Sequence, residues 1–537
     1  RSIWVTGVQT CALPILLMSE YSELLDFVKQ LTLDIYKANG STADADQLIS
    51  LHESGIYNRI RFRLEKSGTA RFAYLPAGAE EKEKQLKQEI AESLKKEGTH
   101  NQRMDAYLRA TSNWDQYLEQ LRNDHPHYYN MRYASIFKSP GQILSQIPEQ
   151  VSIVRYFFVG DQLLALVADN KSKQLVQLPV TSLQNSIPAL SLASTGEKKT
   201  AEILSTLYQQ LWTPIEKFIR HRKVIIIPDG ILYNLSFELL TREKINGYKE
   251  LATRSLLSKY SISYRYSLLL VEQPPRENEL NKSFIAFAPG FTDQMKAEYR
   301  DANIGSAQMD NGYMSLLPQP FTISLAERIQ SQLGGNTFKY EQSTVNAFRT
   351  NAGSHKIIHI GTHAESDNLH PEFSRIIFAK DGAETGENNS LYLFDIYDCE
   401  LPSYLTVLTA CETGKPGYQD GEGMISLAHA FSYAGSESII TGLWKIDEQS
   451  SAQIMENFYK NILRGMDKDE ALRNAKLDYL SQANGRTLAP QYWAGLVLMG
   501  DTSPVIIQNN NSRAYVLIGL ILILLLGGYL IVRKRRR

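Results

Sequence analysis

Short runs of apolar, mostly β-branched residues alternate with helical patterns from about Val151 onwards, and this alternation restricts the fold most. Val224–Ile227 ends in Pro228-Asp229-Gly230, the pattern of a buried strand that runs into a turn. Runs of the same kind follow at Phe284–Phe287, Lys356–Ile360, Leu405–Thr409 and Ser438–Thr441. Helical patterns such as Ser324–Leu333 and Gly423–Tyr433 separate them. The alternation predicts an α/β fold with a mostly parallel sheet flanked by helices.

The sheet is expected to begin with an antiparallel pair. Ser152–Gly160 and Gln162–Asp169 have strand composition and meet at Gly160-Asp161, which is a hairpin signal.

The part of the chain before the sheet has a helical pattern. Ser22–Tyr36 repeats apolar residues at intervals of three and four, and the pattern continues to about Asp124. A helix-pair repeat of about 34 residues has no convincing second copy, so region 18–135 is predicted to be helical without a solenoid being established. That this region is the end of a tetratricopeptide-type solenoid stays open. Residues 1–17 precede Met18, resemble a translated adapter sequence and are left out of the fold prediction together with Cys11.

Composition restricts the ligands that the chain is expected to bind. A net charge of −1 and 43% hydrophobic residues are typical of a globular protein without a preference for nucleic acid. Three cysteines are too few for a disulfide framework. The chain lacks zinc-ligand spacing and a phosphate-binding loop motif, so we expect no metal and no cofactor.

The C-terminal region predicts a membrane anchor. Ala514–Val532 contains no charged residue. A short linker, 506–513, precedes this segment, and a basic tail, 533–537, follows it. A buried soluble helix is the alternative. The charge asymmetry predicts a single-pass protein that contacts the lipid bilayer through this C-terminal helix, with its tail in the cytoplasm and the bulk of the chain outside the cytoplasm.

Two reactive residue types stand at the ends of predicted strands. Cys411 follows Leu405–Thr409, and His363 follows Lys356–Ile360, roughly 50 residues upstream, a spacing noted for caspases. A thiol needs a neighbouring imidazole to become a nucleophile, and adjacent strand ends provide that proximity. The alternative is that Cys411 is a buried structural thiol.

A series of motifs resembles the CHAT family, whose caspase-like domains are associated with tetratricopeptide repeats. The resemblance spans about Val151 to Asp501, and we assign it to a domain over 151–505. The matching blocks are Val224–Leu240, Ser261–Val271, His359–Asp367, Leu408–Gly414, Gly421–Asp447 and Pro490–Asp501.

The resemblance implies a caspase-like cysteine peptidase that cleaves a protein substrate. It places the catalytic pair on Cys411 and His363, with His359 packed earlier on the strand. The backbone amides of Ala364 and Cys411 would hold the oxyanion, and Ala364 stands where the family usually has glycine. The helical region 18–135 would receive a regulatory protein.

Substrate binding is less clear from the sequence. Trp444 could form a subsite wall, and Asp447 with Glu448 could favour a basic residue. Alternatively Trp444 packs in the core and both acids lie at a helix N-terminus. Two other functions stay open, a catalytically silent scaffold for protein interaction and a cysteine hydrolase acting on a small molecule.

Overall fold

The computed structural model describes residues 22–53, 78–95, 100–124, 140–179, 181–268, 280–303, 309–366, 373–380, 389–397, 399–409, 426–445 and 447–507. The strands β1 to β14 are, in chain order, Val151–Val159, Gln162–Ala168, Lys173–Leu178, Lys223–Ile227, Ser261–Tyr264, Lys282–Ala288, Asn336–Lys339, His355–Ile360, His363–Glu365, Arg375–Ile377, Ser390–Tyr392, Leu405–Leu408, Ser438–Gly442 and Leu496–Gly500.

The helices alternate with the strands after an N-terminal helical part. Helices α1 to α17 are Ser22–Asn39, 42–53, Ala79–Lys95, His100–Asp124, Pro140–Leu144, Leu183–Leu190, Glu197–Leu207, Leu251–Arg254, Leu256–Lys259, Asp293–Ala302, Asn311–Ser315, Pro320–Leu333, Val345–Asn351, Leu393–Tyr397, Leu427–Tyr433, Glu448–Leu463 and Lys468–Gln482.

One large sheet forms the centre of the fold. Its 11 strands are ordered β3-β2-β1-β4-β5-β14-β13-β12-β8-β6-β7. The pairs β1–β2, β2–β3 and β13–β14 are antiparallel, and the remaining neighbours are parallel. The fold is therefore mixed α/β, with parallel pairs in the majority.

The antiparallel pair β13–β14 reverses the direction of the sheet. Strands β1, β4, β5 and β14 run one way, whereas β13, β12, β8, β6 and β7 run the other way. The carboxyl ends of β8 and β12 consequently lie at the opposite edge of the sheet from the carboxyl ends of β4 and β5.

The first two helices share a core with the sheet. Leu33 of α1 and Leu48 of α2 are fully buried in one apolar cluster with Ile153 of β1 and Ile225 of β4. Burial of such side chains contributes about 1.5–3 kcal/mol each. Helices α1 and α2 are thus packed on the sheet of the domain that follows them.

A buried ion pair joins α2 to the sheet. Glu53 accepts a hydrogen bond from Nε of Arg155 at 2.6 Å, and both side chains are at most 3% exposed. The same carboxylate accepts hydrogen bonds from Ser267 Oγ at 2.6 Å and from the Leu268 amide at 2.9 Å. Glu53 therefore joins α2 to β1 and to the chain that leaves β5.

The transmembrane helix that formed part of the predicted fold class and localisation is not supported by the structure. Among the described residues, no helix is both long and apolar enough to cross a bilayer. The longest, α4, has 25 residues but carries charged side chains along its length, including Asp105, Arg109 and Glu119. The single-pass architecture and the contact with lipid are therefore not supported, and the segment predicted to span the membrane, Ala514–Val532, lies outside the described residues.

Candidate active site

The candidate site lies at the carboxyl ends of two neighbouring parallel strands. In the register of β8 and β12, Ile360 is opposite Leu408, and the amide of Thr409 donates to the carbonyl oxygen of Ile360 at 3.0 Å. His363 follows Ile360 by three residues (363 − 360), and Cys411 follows Leu408 by three residues (411 − 408). Cys411 itself lies outside the described residues, so the described geometry is that of His363 and of the strand before Cys411.

The chain leaves β8 through Gly361, where there is no room for a side chain. The Gly361 amide donates to the carbonyl oxygen of Phe287 at 3.0 Å. A Cβ atom on Gly361 would lie 1.9 Å from Cγ2 of Thr322. Glycine at this position therefore lets α12 approach the end of the strand.

The backbone of His363 is held by a second, smaller sheet. This sheet has three strands in the order β11-β10-β9, with His363 opposite Ile377 and Ala364 opposite Ile376. The buried hydroxyl of Thr362 donates to the carbonyl oxygen of Ile377. His363 and Ala364 are thus placed by strand pairing rather than by a free loop.

The imidazole of His363 has a defined tautomer. Its Nε2 is 2.8 Å from the carbonyl oxygen of Leu317, and a carbonyl oxygen can only accept, so Nε2 carries the proton. In the neutral ring Nδ1 is then the acceptor. The ring also packs at 5.3 Å between centroids against Phe291.

The surroundings of His363 favour its neutral form. Burial is the main cause that lowers the pKa of His363, and the nearby cations Lys445 and Lys296 lower it further. The Leu317 carbonyl and Glu365 act in the opposite direction on this pKa. The net shift is downward, so the ring is neutral at neutral pH and its Nδ1 is able to accept a proton.

Phe291 and Leu317 were not singled out from the sequence. Phe291 is fully buried and has a φ of 45°, a left-handed conformation that costs a non-glycine residue about 1–3 kcal/mol. The available signal was Pro289-Gly290 just after a buried strand, which marks a turn at a carboxyl end. A main-chain acceptor such as the Leu317 carbonyl has no signature in the sequence.

The segment that carries Leu317 is fixed on both sides of this residue. Lys296 Nζ donates to the carbonyl oxygen of Leu316, and the Gln319 amide donates to that of Gly290 at 2.8 Å. These contacts hold the acceptor of the His363 proton in place.

His359 lies in the core next to the strand that leads to Cys411. Its Nδ1 is 3.0 Å from the hydroxyl of Tyr459, and its Nε2 is 3.4 Å from the hydroxyl of Thr409. Burial lowers the pKa of His359 to about 4, so the ring is neutral. His359 thus links α16 to the end of β12.

The two residues predicted to bind substrate have other contacts. Trp444 is 5% exposed, its indole nitrogen donates to the Gln491 carbonyl at 3.3 Å, and its ring packs on Gly495. Asp447 caps α16 by accepting from the Ser450 amide at 2.9 Å and from the Ser450 hydroxyl at 2.8 Å. These placements agree with the packing and capping alternatives, and a subsite role stays a prediction.

Within the described ranges, no three or more His, Cys, Asp or Glu side chains are grouped so that they could hold a metal ion. The chemistry that the site offers is that of a neutral imidazole beside the end of the strand that precedes a cysteine.

Two solved structures and a curated protein are similar to the chain. The separase of a separase–securin complex from Saccharomyces cerevisiae has a TM-score of 0.45 and 9% identity over 85% of this chain and 34% of that chain. The Arg-specific cysteine proteinase gingipain R has a TM-score of 0.33 and 11% identity over 59% of this chain and 69% of that chain. Tetratricopeptide repeat protein 28 of Homo sapiens is 24% identical over 337 residues, 55% of this chain.

The curated relative is much longer than the matched part, because the match covers only 13% of tetratricopeptide repeat protein 28. The model of the CHAT domain matches residues 201–501, which include β4 to β14 and both strands of the candidate site. More than half of the chain is covered by this match, and the chain therefore belongs to the CHAT domain family.

Proposed function

We propose that the chain is a cysteine peptidase that cleaves a protein substrate, with Cys411 as nucleophile and His363 as general base. The observation that carries this proposal is the hydrogen bond from His363 Nε2 to the Leu317 carbonyl. This bond leaves Nδ1 of His363 as the proton acceptor. His363 follows the last residue of β8 by three residues, and Cys411 follows the last residue of the neighbouring strand β12 by the same number.

The proposed reaction needs only groups of this chain and water. His363 Nδ1 takes the proton of the Cys411 thiol, and the sulfur bonds to the carbonyl carbon of the peptide. The amides of Ala364 and Cys411 stabilise the negative oxygen of the tetrahedral intermediate. The C–N bond then breaks, and the amine leaves with the proton from His363.

Hydrolysis of the thioester completes the cycle. His363 takes a proton from water while the water oxygen bonds to the acyl carbon, and the C–S bond breaks to release the acid and restore the thiol. No metal or cofactor takes part in this proposal.

The helical region is proposed to receive a regulatory protein. This part of the proposal is supported by the common core of α1, α2 and the sheet, because a protein bound to these helices would contact the domain that contains the site. It is separate from the proposal about catalysis.

Labelling with a thiol-directed activity probe tests the catalytic proposal. We expect the probe to label the wild type, and neither Cys411→Ala nor His363→Ala. Cys399→Ala is the matched control, because Cys399 is a partly buried thiol of the same domain whose Sγ donates to the Asp395 carbonyl at 3.3 Å. Loss of labelling in Cys399→Ala with normal labelling of Cys411→Ala would overturn the assignment.

Cleavage of a peptide library then identifies the reaction. The wild type should hydrolyse members of the library, and the Cys411→Ala variant should hydrolyse none. A wild type that is labelled but cleaves no peptide is a hydrolase of another kind, and a wild type that is not labelled is a silent scaffold.

A further inference from the structure

Glu448 connects two helix N-termini beside the candidate site. It is the first residue of α16, and its Oε1 accepts from the Thr322 amide at 2.9 Å and from the Thr322 hydroxyl at 3.2 Å. The Phe321 amide also donates to this carboxylate. Thr322 and Phe321 are in the first turn of α12, so Glu448 caps α12 from a different helix.

The start of α12 lies close to two segments that position His363. Cγ2 of Thr322 occupies the space over Gly361, two residues before His363. Leu317, whose carbonyl oxygen accepts the proton of His363 Nε2, lies three residues before the first residue of α12, Pro320. A displacement of the start of α12 therefore moves the Leu317 carbonyl and the turn at Gly361 together.

We propose that Glu448 is a positioning residue for His363, an inference that rests on the proposed role of His363 as the base. By holding the Phe321 and Thr322 amides, Glu448 keeps the Leu317 carbonyl within hydrogen-bonding distance of Nε2. This bond selects the tautomer in which Nδ1 accepts a proton. Glu448 touches neither the ring of His363 nor the reacting groups in this proposal.

The pKa of Glu448 is affected by its burial and by the groups that its carboxylate contacts. The carboxylate is partly buried, and burial is the main cause that raises its pKa, with Asp447 acting in the same direction. The hydrogen bonds from Thr322 and Phe321 oppose this shift of the pKa. The charged groups with the largest effects on the pKa of His363 are Lys445, Lys296 and Glu365, whereas the hydrogen bonds that Glu448 accepts come from Thr322 of α12. Its influence is therefore expected to pass through α12.

Steady-state kinetics provide the first test. We expect Glu448→Ala to lower kcat by up to about 100-fold with little change in KM, because the base is misplaced while the surface for the substrate is kept. Glu448→Gln retains an acceptor oxygen and should stay within a few-fold of the wild type. Thr322→Val removes only the hydroxyl and should have an intermediate effect.

Glu456→Ala is the matched control. Glu456 is on the same helix and also bridges α16 to α12, through Arg328 at 3.2 Å. It lies two turns further from the site, and its loss should leave kcat unchanged. A decrease in kcat of equal size in Glu448→Ala and Glu456→Ala would overturn the proposal, because it would indicate a general effect of helix packing.

The tautomer of His363 provides a test that does not depend on activity. In protein labelled with ¹⁵N-histidine, with the signal assigned by its absence in His363→Ala, the wild type should have Nε2 protonated and Nδ1 unprotonated. Glu448→Ala should lose this preference, and Glu448→Gln and Glu456→Ala should keep it. Circular dichroism of each variant verifies that the fold is retained.

The two readouts separate this inference from the proposed function. A wild type without peptidase activity in which Glu448→Ala still changes the His363 signal contradicts the function and supports the positioning role. An active wild type in which Glu448→Ala alters neither the signal nor kcat overturns the positioning role and leaves the function intact.

Discussion

Nε2 of His363 donates its proton to the carbonyl oxygen of Leu317 at a distance of 2.8 Å. This single contact determines which nitrogen of the ring accepts a proton. Because the acceptor is a main-chain atom, substitution of the Leu317 side chain leaves the contact in place, whereas a movement of the backbone removes it.

The acid limb of the pH–rate profile should lie below the usual range for histidine. Burial lowers the pKa of His363 from its ordinary 6.5, and the base is lost only when pH falls through the lowered value. We expect kcat/KM to be half-maximal at a pH below 6.5. Lys445 also lowers this pKa, so Lys445→Gln should move the limb to higher pH. Lys460→Gln is the control, because Lys460 pairs with Glu456 on α16 and is not among the groups with the largest effects on the pKa of His363. A limb at or above 6.5 in the wild type would contradict the assignment.

Gly361→Ala should destabilise the protein and reduce activity. The new Cβ atom would lie 1.9 Å from Cγ2 of Thr322, so α12 or the end of β8 has to move, at a cost of about 1–3 kcal/mol. Thr322→Ser removes this methyl group and keeps the hydroxyl. We therefore expect Gly361→Ala/Thr322→Ser to recover part of the loss in urea unfolding and in kcat. A double variant no better than Gly361→Ala would show that the methyl group is not the obstacle.

Glu53→Ala should be strongly destabilising. It leaves the guanidinium of Arg155 buried without its carboxylate, a change that costs about 3–5 kcal/mol. Asp46→Ala on the same helix removes a pair with Lys173 that is about one-third exposed, and should cost about 0–1 kcal/mol. Glu53→Met/Arg155→Met removes both charges and should regain stability. Equal costs for Glu53→Ala and Asp46→Ala in denaturant unfolding would disprove the buried-charge argument.

The stability of the fold should decrease as pH falls below about 6.5. His429 is a buried residue of α15. Burial lowers the pKa of both His359 and His429 to about 4, so the unfolded chain binds more protons than the folded protein over this range. The stabilisation is complete above the unfolded pKa and is lost as pH falls to about 4, at most about 3 kcal/mol for each residue. Urea unfolding at several pH values measures the slope, and His359→Asn should reduce it.

Asp469 changes the pH dependence of stability in the opposite direction, and its contribution should be measured separately. Burial raises its pKa to about 6, so its contribution is present below the ordinary value of 3.8 and is lost as pH rises through about 6. In an Asp469→Asn background, the loss of stability on acidification should therefore be steeper than in the wild type. A shallower slope would contradict the sign of this shift.

The central strands could be predicted from the sequence because they are buried on both faces and therefore consist of continuous apolar runs. The apolar runs at Val224–Ile227, Lys356–Ile360 and Leu405–Thr409 differ from β4, β8 and β12 by no more than one residue at each end. A continuous apolar run bounded by glycine and proline is a strong signal for such a strand. The helices between these strands were predicted from a different signal, the helical pattern of their apolar residues.

Contacts between distant segments could not be predicted in this way. The bond from His363 to the Leu317 carbonyl and the cap that Glu448 provides for α12 join segments that the sequence analysis treated as unrelated. The helical region was assigned on its periodicity alone, which does not indicate that Glu53 would reach Arg155 in the sheet. The pattern of side chains along a segment indicates its secondary structure and its burial, whereas these contacts depend on how the segments are arranged in three dimensions.

The reversal of strand direction at β13–β14 has a consequence for molecules that bind the protein. The carboxylate of Glu53 joins the helical region to Arg155 of β1 and to the chain that leaves β5, and Arg155 in turn donates to the Pro228 carbonyl after β4. His363 follows the end of β8, which points the other way. A protein that binds at the Glu53 end and a polypeptide that binds at the His363 end approach from opposite sides and do not compete for space. If both of the proposed molecules bind, an effect of one on the other would have to pass through the sheet between them.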